Sequence, residues 1–111
     1  MSMNQTSQKC VPCEGGTKPM TTEEMKPYLE EVQNWQTKDD NKKIERKFKF
    51  KDFKEALEFV NRIGEIAEQE GHHPDVQLGW GRVEVELSTH AIGGLSVNDF
   101  ILAAKINKLL S

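Results

Sequence analysis

EQEGHHPDVQLGWGRVEVELSTHAIGGLSVND, residues 68–99, decides how this chain is read. It opens as the end of a helix and stops at Gly71, a residue that takes the left-handed C-cap conformation without penalty. Pro74 forbids the helix from resuming and pushes His73 toward extended geometry. Val76, Leu78 and Trp80 then alternate, as do Val83, Val85 and Leu87, the pattern of two strands that each bury one face. Gly79 and Gly81 flank Trp80 and place a turn or a bulge there. Gly93-Gly94 permits a second sharp turn, and Ser96 with Asp99 has capping-box spacing for another helix. The stretch holds every histidine of the chain: His72, His73 and His90. A hairpin that folds back on itself returns His90 to the neighbourhood of His72 and His73.

Upstream, Asp52 is a good N-cap and Glu55 gives it capping-box spacing. Phe53, Ala56, Leu57, Val60, Ile63 and Ala67 form one apolar stripe, which predicts the longest helix over about residues 53 to 70. Before it, Ile44, Phe48 and Phe50 fall on one face of an alternating run, with Glu45, Lys47 and Lys49 on the other. Arg46 shares the apolar face and reads as a strand-end arginine whose stem packs while its head reaches water. Residues 38–42, KDDNK, are a turn, and Asn34-Trp35-Gln36 begins an extended segment, so a hairpin is expected. Thr21 or Thr22 caps a first helix over about 22 to 33, with Thr21 and Glu24 at box spacing and Met25, Leu29 and Val32 at helical period. Pro27 disturbs it. After the histidines, Val97, Phe100, Ile101 and Ala104 form the stripe of the last helix. The order α-β-β-α-β-β-α, with neighbouring strands paired, predicts an α+β domain with one antiparallel sheet and helices on one face.

Residues 1–19 are polar, contain Pro12, Gly15, Gly16 and Pro19, and read as a flexible tail before a single domain over 20–111. Cys10-Val11-Pro12-Cys13 is a CxxC: half a zinc site, a redox pair, or simply part of a tail. No second cysteine pair follows to complete zinc, and the motif precedes the strand–helix context a thioredoxin-like pair needs. The 111 residues are 36% hydrophobic and 30% charged, a soluble composition. A formal net charge of -3 gives no basic field for phosphate backbones, so no nucleic-acid partner is expected. No apolar run reaches the ~20 residues of a membrane span, and the N-terminus lacks a signal-peptide core. A cytoplasmic protein with no membrane partner is the expectation.

Histidine exchanges protons near neutral pH, and three of them around the ends of one hairpin admit three readings. One is acid–base catalysis on a neutral organic substrate. One is a metal site, against which stand the absence of HxH or HxxxH spacing and the opposite facing of adjacent residues in an extended chain. One is a solvated His-His-Pro turn with an unrelated His90. No GxSxG and no Gly-rich phosphate loop occurs, and the cysteines lie outside the cluster, so no nucleophile stands out.

Glu68-x-x-x-His72-His73-Pro74, Val83-x-Val85-x-Leu87-Ser88-Thr89-His90 and Gly94-Leu95-Ser96-x-x-Asp99 together resemble pterin-4a-carbinolamine dehydratase, the 4a-hydroxytetrahydrobiopterin dehydratase family. Phe48-x-Phe50-Lys51-Asp52-Phe53 and Trp35 extend the resemblance over about residues 20 to 110. The resemblance implies a four-stranded antiparallel sheet carrying three helices on one face. It implies a hydro-lyase that converts 4a-hydroxytetrahydrobiopterin to quinonoid dihydropterin and so recycles the pterin of aromatic amino acid hydroxylases. No metal and no cofactor of its own is implied, and homodimers or homotetramers are. By analogy His72 and His90 act as acids on the hydroxyl, while His73 holds the pterin and offers a base. Ser88 and Thr89 line the pocket, with Gly71, Pro74 and Ala91 as close neighbours, and Glu68 and Asp99 orient histidines.

The chain departs from animal members at Trp80, where they often carry tyrosine, and at Gly71, where they carry an acidic residue. The alternative implied by the same resemblance is a non-catalytic dimerisation or assembly cofactor that binds a protein partner. Retention of all three histidines favours the enzyme.

Overall fold

The computed structural model describes residues 18–110, so the Cys10/Cys13 pair and most of the expected tail lie outside the described residues. Helix α1 (Thr22–Glu31) starts where Thr21 Oγ1 accepts from the Glu24 N–H and the Glu24 carboxylate accepts from the Thr21 N–H. That exchange satisfies two donors the first turn leaves unpaired. Pro27 sits inside α1 without ending it; the carbonyl it deprives, that of Glu23, belongs to an exposed residue. The helix stops sooner than its periodicity predicts, and Val32 turns in to be buried.

Strands β1 (Gln36–Lys38) and β2 (Lys43–Lys49) form the first hairpin. Asp39, Asp40 and Asn41 connect them at φ of 53°, 55° and 63°. Asp and Asn enter this left-handed region more readily than other residues with side chains, which is why the polar run turns the chain. Helix α2 (Phe53–Glu70) is capped by Asp52, whose Oδ1 accepts from the Glu55 N–H at 2.9 Å, and is closed by Gly71 at φ 65°.

Strands β3 (Asp75–Gly79) and β4 (Arg82–Leu87) make the second hairpin through Trp80-Gly81. Gly81 has φ 66°, and a Cβ there would lie 2.8 Å from the Phe50 carbonyl oxygen, so conformation and space both require glycine. The turn expected between the two glycines is therefore present. Trp80, which the alternation placed in the strand, belongs to that turn and is 74% exposed. A short 3-10 turn (His90–Ile92) precedes helix α3 (Val97–Lys108).

The sheet order is β1-β2-β4-β3, antiparallel throughout. Ile44, Phe48, Val83, Val85 and Leu87 line the face under the three helices and are buried, while Glu45, Lys47, Glu84 and Glu86 occupy the open face. This is the α+β architecture and element order read from the sequence. Helix α3 lies between α1 and α2 and touches both. It is enclosed far beyond the predicted stripe, with every residue from Asn98 to Ala104 buried. Among the described residues no helix is long and apolar enough to cross a membrane.

Arg46 departs from its expectation. It stands in the middle of β2, not at a strand end, and its head is bound within the protein. Nη1 donates to Asn107 Oδ1 at 2.6 Å and to the Gln33 carbonyl at 3.4 Å, and the guanidinium lies 4.5 Å from the Phe48 ring centroid. Burial pushes the guanidinium pKa below its usual value. Asn107 Oδ1 also accepts from Trp35 Nε1 at 2.8 Å, so one amide oxygen ties β2, α3 and the segment after α1 together.

Two outcomes follow. Asn107→Ala strands the Trp35 and Arg46 donors and should cost about 1–3 kcal/mol in urea unfolding, with Asn107→Asp, which keeps the acceptor, costing less. On the open face, the hydrogen bond from Lys38 holds the Glu86 carboxyl below the usual carboxylate range, and the charges of Lys38 and Lys43 add to it. A carboxyl lowered on folding stabilises above its unfolded pKa, and that contribution disappears as pH falls through the lowered value. Glu86→Gln should therefore make the acid side of the stability–pH curve shallower, read by thermal melts between neutral pH and pH 3.

Candidate active site

Three chain segments meet at one end of the helical layer: the exit of α2, the 3-10 turn after β4, and the start of α3. Gly71 turns the chain out of α2, and the following proline keeps His72 and His73 from re-entering a helix. His72 is mostly covered, with its side chain 14% exposed, and its Nε2 lies 2.6 Å from Asp99 Oδ1. Asp99 has no exposed surface. Its second oxygen, Oδ2, accepts from Thr89 Oγ1 at 2.8 Å and from the Ser96 N–H at 2.9 Å. The Thr89 and Ser96 hydroxyls are 2.8 Å apart and hydrogen-bonded.

Asp99 is the third residue of α3, and its bond to the Ser96 N–H is the acidic half of the predicted capping box. One carboxylate therefore starts a helix and holds an imidazole. A carboxylate only accepts, so the His72 Nε2 that faces it is the donor, and Nδ1 is the ring nitrogen left for proton exchange.

His73 faces the other way, as adjacent residues of an extended chain do, and its Nε2 pairs with Glu68 Oε2. Both side chains are largely exposed, so this pair is screened by solvent. His90 is the first residue of the 3-10 turn, is exposed, and makes no side-chain hydrogen bond among the described residues. It follows directly on Thr89, which shares the Asp99 carboxylate with His72, and so the return strand brings it to the same end of the domain. Ser88 and Pro74 are half-buried, and Gly71 and Ala91 are exposed around the three histidines.

Thr89 departs from its expected place in a pocket lining. It is 5% exposed, and its hydroxyl is committed to Asp99 and Ser96. Ser96 is the member of the network that the sequence reading left as a helix cap alone; its spacing from Asp99 was the available signal. Among the described residues no three His, Cys, Asp or Glu side chains converge in a way that holds a metal ion.

Comparison with known proteins shows the family of the chain. Residues 18–109 match the family described as pterin 4 alpha carbinolamine dehydratase. The chain is 49% identical over 104 residues to a candidate pterin-4-alpha-carbinolamine dehydratase of Methylococcus capsulatus, covering 94% of this chain and 91% of that one. It is 50% identical over 107 residues to one named in the same way from Halorhodospira halophila, covering 96% and 98%. The crystal structure of a transcriptional coactivator/pterin dehydratase from Brucella melitensis superposes with a TM-score of 0.80 at 35% identity, covering 85% of this chain and 100% of that one. A pterin dehydratase-like protein described as a RuBisCO assembly factor in the alpha-carboxysome has a TM-score of 0.61 over 71% of this chain and 92% of that one, at 18% identity, a likeness of fold alone. The chain belongs to the pterin-4a-carbinolamine dehydratase family.

Proposed function

We propose that this protein dehydrates a 4a-hydroxytetrahydropterin to the quinonoid dihydropterin by histidine acid–base catalysis. The observation that carries the reading is His72 held by the buried Asp99 carboxylate, with His90 next in sequence to Thr89, which shares that carboxylate, and free of side-chain partners among the described residues. In the reaction the C4a–O bond breaks with its electron pair leaving on oxygen. An acid protonates that oxygen, so it departs as water. The N5 proton leaves to a base, and its electron pair forms the C4a=N5 double bond. His72 and His90 supply the proton to the hydroxyl, and His73, paired with Glu68, holds the pterin and receives the N5 proton. Each proton transfer by a positioned side chain contributes about 10²–10⁴-fold.

Asp99 and Thr89 act as positioning residues, because each reaches the substrate only through His72. The product is the pterin that a reductase returns to aromatic amino acid hydroxylases, so the protein serves pterin recycling in the cytoplasm as a homo-oligomer. The reaction needs no metal or cofactor.

A second reading, a protein-binding assembly or dimerisation cofactor, draws on Phe53 and Leu57, which α2 exposes at 45% and 40%. The dehydration rate separates the two readings. Freshly generated 4a-hydroxytetrahydropterin, followed by ultraviolet absorbance, should disappear faster with the wild type than without it. His72→Ala and His90→Ala should each lower kcat/KM by about 10²–10⁴-fold while far-UV circular dichroism is retained. A folded wild type with no acceleration sinks the enzyme reading.

Asp99→Asn replaces one of the two accepting oxygens by a donor nitrogen, so either His72 or the Thr89 and Ser96 donors lose their acceptor; it should cost about 1–3 kcal/mol of stability and lower kcat more than it raises KM. Nitrogen-15 shifts of the His72 ring should report the Nε2–H tautomer in the wild type and a tautomer mixture in Asp99→Ala. An unchanged ring spectrum removes Asp99 from its positioning role.

A further inference from the structure

We infer that Pro19 and Met20, the two residues ahead of the α1 cap, are positioning residues for His90: they strap down the loop that carries it. The inference rests on the dehydratase reading for what His90 does, but not for how it is held.

His90 is aimed by its backbone. His72 has Asp99 and His73 has Glu68, whereas the His90 side chain makes no hydrogen bond among the described residues. Its ring therefore goes where the turn beneath it goes. That turn closes on itself: the Gly93 N–H donates to the His90 carbonyl at 3.2 Å, and the Thr89 N–H to the Gly94 carbonyl at 2.8 Å. Such local bonds give the turn its shape but not its place on the domain. Its place is set at the two roots. On the entering limb the Thr89 hydroxyl donates to Asp99. On the leaving limb the Leu95 carbonyl accepts from the Met20 N–H at 2.8 Å.

Pro19 adds a second hold on the leaving limb. A Cβ built on Gly94 would lie 2.7 Å from Pro19 Cβ and 3.2 Å from its Cγ, so the ring rests directly on the glycine backbone. The two glycines of the turn thus have different reasons to be there. Gly93 sits at φ 68° with no atom within 4 Å of a Cβ built on it, so conformation requires it. Gly94 lies outside the left-handed region, and the proline ring alone requires it.

The strap itself is anchored. Met20 is half-buried and packs against the core, and Thr21 follows as the cap of α1, bonded both ways to Glu24. The fixed φ of proline takes slack out of the segment. The start of α1 is thereby coupled to the loop that presents a proton donor, and a 1 Å misplacement of such a group can cost about 10²-fold in rate.

Gly94→Ala is the direct test. Relaxing the new contact to the 3.4 Å of ordinary packing drives ring and loop about 0.7 Å apart. It should lower kcat/KM about tenfold, chiefly in kcat, short of the cost of a full ångström. Pro19→Gly, which removes the ring and crowds nothing, should lower it about threefold. The double variant should stay near threefold, because the methyl then fills the room the ring has left, whereas independent effects would multiply to about thirtyfold. In a His90→Ala background neither change should alter kcat/KM by more than about twofold. A thirtyfold loss in the double variant, or losses that persist without His90, overturn the positioning role.

The strap is tested apart from activity by amide hydrogen exchange. The Met20 and Thr89 N–H groups should exchange faster in Gly94→Ala and in Pro19→Gly, while the buried Leu102 of α3 keeps its wild-type protection. Unchanged exchange at both amides overturns the inference whether or not the protein is a dehydratase. A wild type that fails to accelerate dehydration overturns the role given to His90, and the strap is then judged by exchange alone.

Discussion

A single buried carboxylate carries more of this structure than any other group. Asp99 has no access to water, and a charge in that position is tolerable only when its lone pairs are filled. They are filled by His72, Thr89 and the Ser96 backbone, drawn from the exit of α2, the end of β4 and the start of α3. Because those partners come from separate elements, the carboxylate fixes their relative placement. The site is positioned by the same bonds that close the fold at this end, and its chemistry cannot be loosened without loosening the fold.

At the opposite end of α3 a neutral counterpart does similar work. Asn107 Oδ1 accepts from both Trp35 and Arg46, and Asn107 Nδ2 donates to the Gln33 carbonyl. The enclosed helix is thus pinned by polar side chains at both ends and by Phe100, Leu102 and Ile106 between them. Apolar burial supplies the driving force, while the two polar anchors choose one rotation and one axial position for the helix.

Much of this was readable from residue order. The element sequence followed from alternation and capping signals, because each depends on neighbours in the chain: Asp52 with Glu55, Ser96 with Asp99, Gly71 before Pro74. What failed to show was long-range. Nothing local says that Arg46 finds Asn107, since the partner lies 61 residues away. The burial of α3 on nearly all sides was hidden for the same reason, because a periodic stripe reports one packing face and not neighbours on two flanks. Thr89 was placed by position beside the histidines, but its direction, inward to Asp99 instead of outward to a pocket, depended on that second contact. Asp99 was visible as a cap and suspected as a histidine partner; only the folded chain shows one carboxylate serving both uses.

The three histidines are not equally replaceable in descent. His90 and His73 are exposed, and neither is tied to the core. A lineage could lose them through single substitutions that barely disturb folding, keeping a stable domain free to take up other work. His72 is bound to the carboxylate that starts α3, so its loss strands a buried charge and is filtered by folding before selection on activity acts. Chains on this frame that have abandoned proton transfer should therefore have shed the exposed histidines first, and where the covered one is gone, its carboxylate should have changed with it.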